Sequence, residues 1–187
     1  MSTELNEGQI IIPNARLSYP KLFHAESVKG ESEDKARYGA NILLSKKDAA
    51  TKARIDKEIR RIAKERMKGV MPAAEDISMR DGDGPKGDEH SEGCWVISAN
   101  RYPSQGRPQV VDGKRSPLTQ DDGKPKAGDF CNFLVGIYSP KAWPKKVCFS
   151  LEIVQYVKDG PPIGAGTADV EVMPEMPDDD GDSDFGI

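Results

Sequence analysis

The sequence predicts a mainly β fold, a small barrel of about five strands with one α-helix inserted after the second, followed by an acidic terminal segment. Three observations predict it. Short runs of alternating apolar and polar residues recur along the chain, one helical pattern interrupts them, and the composition changes abruptly after Lys158. With 187 residues, 36% hydrophobic and only 6% aromatic, the chain suits one modest domain with an appendage.

The elements follow in order. Gln9–Tyr19 is the first apolar segment and reads as a strand. In Ala36–Ser45, Tyr38, Ala40, Ile42 and Leu44 alternate with Arg37, Gly39, Asn41 and Leu43, so this is a second strand. From Ser45 the period changes. Ser45 and Asp48 have the spacing of a capping box, Ile55, Ile59 and Ile62 recur at helical intervals, and Gly69 supplies a stop. Ten Lys/Arg against four Asp/Glu lie between Lys46 and Lys68, which reads most simply as the solvated face of an amphipathic helix. Glu75–Gly93 is Gly/Asp-rich and reads as a long surface loop. Short strands follow at Cys94–Asn100 and Gln109–Asp112, and Asp129–Tyr138 and Lys146–Val157 are expected to pair as a hairpin. The intervening SPKAWPKK is a loop by its two prolines, and it sets Trp143 among Lys141, Lys145 and Lys146. So few strands favour an OB-fold-like barrel over a sandwich, which usually needs seven or more.

Charge divides the chain at the same point as composition. The last 29 residues hold nine acids and no Lys or Arg, and nine of them are Gly or Pro. This segment is expected to be disordered, because it cannot bury enough apolar surface to offset chain entropy. The body keeps 27 bases against 22 acids, a net +5 beside a tail of -9. Residues 1–158 are therefore expected to form the domain and 159–187 the tail. A basic globule suggests a polyanionic ligand. The tail ends in Asp178, Asp179, Asp180, Asp182, Asp184, Phe185 and Ile187, an acidic stem with an apolar tip that suits docking into a basic-rimmed pocket on a partner.

Several functions are disfavoured. The longest apolar stretch, Phe133–Tyr138, is too short to span a bilayer, and the acidic N-terminus does not resemble a signal peptide. Cys94, Cys131 and Cys148 are odd in number and suggest neither a disulfide framework nor a zinc ribbon. Gly82, Gly84 and Gly87 spell GxGxxG, but no apolar strand precedes them, and Asp81, Asp83 and Asp88 would repel a pyrophosphate. Pro85 and Lys86 spoil an EF-hand reading of the same loop, and His90 with Cys94 gives two metal ligands where four are needed. No catalytic residue, metal or cofactor is expected. A metal-dependent nuclease or resolvase using Asp81, Asp83 and Asp88 is the enzyme alternative, and an interaction protein that binds no DNA is a third reading.

What remains is the interleaving of aromatic and basic residues that single-strand binders require, since bases stack on rings while Lys and Arg follow phosphates. The candidates are Arg16, Tyr19, Lys21, Arg37, Arg101, Tyr102, Arg107, Trp143, Lys145 and Lys146. Tyr38 and Trp95 sit within apolar runs and read as core.

Several segments together resemble a family of phage single-stranded-DNA-binding proteins with an OB-fold. They are ARLSYPKLF (15–23), ARYGANILLSKKD (36–48), MRDGDG (79–84), RPQVVD (107–112), AGDFCNFLVGIYSP (127–140) and VCFSLEIVQYVKDGPPIG (147–164), in family order. The acidic tail is similar to those of single-strand binders generally, although Gly186 and Ile187 follow Phe185 where an aromatic more often ends the chain. The resemblance implies a non-catalytic protein that coats single-stranded DNA in phage replication, recombination or repair in the host cytoplasm. It also implies a tail that recruits replication or recombination proteins and competes with DNA. A homo-oligomer is compatible with this reading.

Overall fold

The computed structural model describes residues 4–164 and 170–175. The chain runs β1 (Gln9–Glu26), β2 (Arg37–Ser45), α1 (Ala49–Arg66), β3 (Met79–Asp81), β4 (Cys94–Arg101), β5 (Gln109–Val111), β6 (Phe130–Tyr138) and β7 (Cys148–Lys158). The hydrogen-bonded order is β3-β4-β2-β1-β6-β7-β5, and β4 also pairs with β7. That last pairing is parallel, Ala99 opposite Phe149 and Asn100 opposite Ser150, and it closes β4, β2, β1, β6 and β7 into a five-stranded barrel. Short β3 and β5 extend the sheet outside the ring, on β4 and β7 respectively.

The alternation that marks the strands also fills the barrel. Ile12, Leu17, Ile42, Leu44, Ile97, Phe133, Val135, Phe149 and Leu151 are all buried in one core. Helix α1 packs against β1 and β6 and adds Ile55, Ile59 and Ile62 to that core, the stripe expected from their spacing. Its cap is Asp48 rather than a box begun at Ser45: Asp48 Oδ1 accepts the Thr51 N–H at 3.0 Å and Oδ2 accepts the Thr51 hydroxyl at 2.6 Å. Ser45 instead ends β2, where its Oγ accepts the Lys47 N–H.

Two other expectations are corrected. β1 does not stop at Tyr19 but continues to Glu26. Ser18 pairs with Asn41 and Lys21 with Gly39, so β1 carries one extra residue there, and Tyr19 takes φ 46°. This bulge shifts the alternation by one residue and hides the second half of the strand from a reading of period. β3 lies inside the segment expected to be loop, too short for periodicity to reveal.

The polypeptide stays on the barrel past Lys158. Gly160 N–H donates to Asp129 Oδ1 at 3.2 Å, Ile163 N–H donates to Ala127 O at 3.4 Å, and Arg16 Nη2 donates to Pro161 O. Asp178, Asp179, Asp180, Asp182, Asp184, Phe185 and Ile187 lie outside the described residues. Among the described residues, no helix is long and apolar enough to cross a membrane.

Candidate nucleic-acid interface

Because Ala40, Ile42 and Leu44 face the core, Arg37, Gly39 and Asn41 face outward on β2. The register then places Gly39 opposite Asn100 and Asn41 opposite Ser98 on β4, while Lys21 on β1 sits opposite Gly39. These side chains line a recess of about 260 Å³ whose wall is completed by Tyr19. Gly39 is required by space: a Cβ there would lie 2.5 Å from Asn100 Oδ1 and 2.8 Å from Ala99 O. The floor is therefore low and polar. Among the described residues, Lys21, Asn41, Ser98 and Asn100 make no side-chain hydrogen bond, so the recess presents free amide, hydroxyl and ammonium groups to a ligand.

Tyr19 is 67% exposed. The bulge that interrupts β1 and its left-handed backbone carry the ring to the rim of the recess. Arg37 is held at the same end by an ion pair with Glu31 at 3.1 Å, whose hydrogen bond keeps the Glu31 carboxyl below its usual range.

The other candidates divide. Arg101 donates to Gly106 O at 2.9 Å and to Gln105 O at 2.8 Å, and so braces the turn after β4. Arg107 lies 5.5 Å from the Phe23 ring centroid. Arg16 spans Gly128 O at 3.2 Å and Pro161 O while its guanidinium lies 5.9 Å from the Phe130 centroid. Tyr102 is 46% exposed and close enough to Tyr138 to help burial push that phenol's pKa up. Trp143 is 58% exposed on the loop between β6 and β7, with Lys146 Nζ 5.7 Å from its ring centroid. Lys145 lines a separate recess with Met67, Val70 and Met71 beyond the C-terminal end of α1. The structure thus gathers Tyr19, Lys21 and Arg37 into one recess with Gly39, Asn41, Ser98 and Asn100, which are neither aromatic nor basic and so stand outside the sequence pattern. The signal that finds them is their place in the outward phase of two paired strands.

The acidic loop has a structural use. Lys46 Nζ bonds Asp81 at 2.5 Å and Asp83 at 2.6 Å, and these bonds hold both carboxyls below their usual range. Asp83 also accepts the Gly93 N–H, and Asp88 accepts those of His90 and Ser91. A Cβ on Gly82 would lie 2.1 Å from Ser91 O, and one on Gly87 would lie 1.9 Å from Gly82 O, so the GxGxxG spacing belongs to a backbone folded tightly on itself. Among the described residues, no group of three or more His, Cys, Asp or Glu side chains is placed to hold a metal ion. Trp95 packs at the edge of the core, with Lys46 and Lys52 at 5.0 and 4.6 Å from its centroid. Burial pushes the Cys131 thiol up to about 12, which suits a packing role.

A five-stranded barrel closed by one parallel pair, with an open polar face on β1, β2 and β4, defines a protein of the OB-fold-like class. The chain belongs to the family of the ssDNA-binding protein of Enterobacter phage Enc34, which it matches over residues 8–184. The structure of the single-stranded DNA-binding protein from bacteriophage Enc34 in complex with ssDNA superposes with a TM-score of 0.71 at 25% identity, covering 87% of this chain and 97% of that one. The single-stranded DNA-binding protein gp2.5 of bacteriophage T7 shares the fold, with a TM-score of 0.54 at 15% identity over 89% of this chain and 94% of that one. Protein p50 of Acyrthosiphon pisum secondary endosymbiont phage 1 is 29% identical over 178 residues, 90% of this chain and 94% of that protein.

Proposed function

We propose that this protein binds single-stranded DNA without sequence preference, through the recess on β1, β2 and β4, and takes part in phage DNA replication, recombination or repair in the host cytoplasm. The observation that carries the reading is the recess itself. It offers unpaired donors and acceptors on its floor and cations at its edge, with an exposed ring at its rim, in a fold whose relative was solved with ssDNA. Tyr19 stacks on a base, and Lys21 and Arg37 neutralise phosphates. Trp143, Lys145 and Lys146 add a second contact from the β6–β7 loop, which is one of the two loops OB-folds use for this purpose. Arg16, Arg101 and Arg107 support the surface, with Tyr102 beside it. Nothing in this reading needs catalysis or a cofactor. The acidic segment after the barrel competes with DNA for these cations and uses its apolar tip to recruit replication or recombination proteins.

Fluorescence anisotropy with a labelled oligonucleotide, single-stranded or annealed to its complement, tests the reading. Preference for the single strand is expected, because stacking needs unpaired bases. Equal affinity for both forms, or none for either, overturns it.

A further inference from the structure

We propose that Arg80, with Lys86 beside it, holds a backbone phosphate of the single strand where the strand leaves the β1–β2–β4 recess and crosses β3. The inference rests on the single-strand-binding reading and extends its path to an element outside the barrel.

Arg80 is the central residue of β3 and sits opposite Val96 on β4. Met79 and Ile97, the adjacent pair, lie on the core side, so the alternation of both strands turns Arg80 and Val96 to the same outward surface as Ser98 and Asn41. There, Arg80, Lys86, Val96, Ser98 and Glu75 line a second recess of about 240 Å³. Ser98 belongs to both recesses, which makes the polar surface continuous from Tyr19 on β1 to Arg80 on β3.

The state of the guanidinium points to a ligand. Arg80 Nε is buried and has no hydrogen-bond partner. The terminal nitrogens of the guanidinium reach the surface of the recess without an ion pair or hydrogen bond to any described residue, and a phosphodiester supplies the partner they lack, since the planar fork of Arg matches the paired oxygens of phosphate. Neighbouring acids do not neutralise it: Asp81 is bonded to Lys46 at 2.5 Å, and Glu75 is exposed on the recess wall without a bond to Arg80. Lys86 is exposed on the same wall and gives a second cation. The site therefore carries two cations and one unpaired carboxylate, and Glu75 sets a limit on its affinity.

Anisotropy with two single-stranded thymidine oligonucleotides, of about 4 and about 12 nucleotides, separates a track that includes β3 from one that does not. Wild type, Arg80→Gln, Arg80→Lys and Glu75→Gln are compared, with melting temperature recorded for each. Arg80→Gln should weaken binding of the longer oligonucleotide by about tenfold or more and lower the slope of log K against log salt by about 0.7. The short oligonucleotide should be affected little. Arg80→Lys should keep the slope and lose part of the affinity, and Glu75→Gln should tighten binding of the longer strand. Equal weakening of both lengths with an unchanged salt slope, or no effect of Arg80→Gln on a strand that wild type binds, overturns this inference alone. Wild type that binds neither oligonucleotide overturns the single-strand reading and this inference with it.

Discussion

Tyr19 shows how one residue serves local geometry and the candidate site together. Its φ of 46° belongs to a bulge that advances β1 by one residue, and the same bend carries a ring that is 67% exposed to the edge of the recess. Tyr19→Ala is expected to weaken single-strand binding by about 1–3 kcal/mol while melting stays near wild type, since the ring packs on little. Trp143→Ala should behave alike, and a strong fall in melting temperature with unchanged affinity would instead make Trp143 a packing residue. Gly39→Ala should differ from both by lowering stability. A Cβ 2.8 Å from the Ala99 carbonyl forces the β2–β4 pair apart, so urea unfolding should show a loss of roughly 1–3 kcal/mol. Tyr19, Lys21 and Arg37 were legible as aromatic and basic side chains in a polar setting. Asn41, Ser98 and Asn100 were not, because an amide or hydroxyl on a strand looks like any solvated residue until the partner strand is known.

Elements are set by the same interplay of period and punctuation. The helix announces itself through Ile55, Ile59 and Ile62, and its start is set by Asp48 bonding twice to Thr51. Asp48→Ala should cost about 1 kcal/mol. Those bonds hold the Asp48 carboxyl below its ordinary value, so the folded state releases this proton more readily than the unfolded chain. The stabilisation is complete above the unfolded value of about 4 and is lost as pH falls through the lower, folded one. Urea titrations of wild type and Asp48→Asn should therefore diverge at neutral pH and converge in strong acid. β3 and the second half of β1 escaped the sequence for physical reasons: three residues cannot show a period, and a bulge breaks one. The return of the chain after β7 is held by Asp129, which is fully buried and accepts N–H bonds from Lys126 at 2.8 Å and Gly160 at 3.2 Å. Asp129→Ala leaves both donors unpaired and should destabilise the barrel by roughly 3 kcal/mol.

At the scale of the whole molecule, charge is separated along the sequence. The proposed competition with DNA follows from a -9 segment joined to a +5 body, since tethering raises the effective concentration of its acids for any cation of that body. Removing residues 165–187 deletes eight of the nine acids yet keeps the contacts of Gly160, Pro161 and Ile163 with the barrel. Single-strand affinity is expected to rise, most at low salt where screening is weakest, with melting unchanged. A fall in affinity would place part of the binding surface in the removed segment. The parallel pair that closes the barrel bears on how the chain is made. β1 awaits β6, and β4, covered by β3 only at Trp95, Val96 and Ile97, awaits β7 at Ala99 and Asn100, so the chain up to Arg101 forms a sheet with one border open and the other half open. Closure comes only once β7 has been made, so the nascent chain passes through an open-sheet intermediate, and a chain stopped before Phe130 keeps those borders open to pairing with another chain.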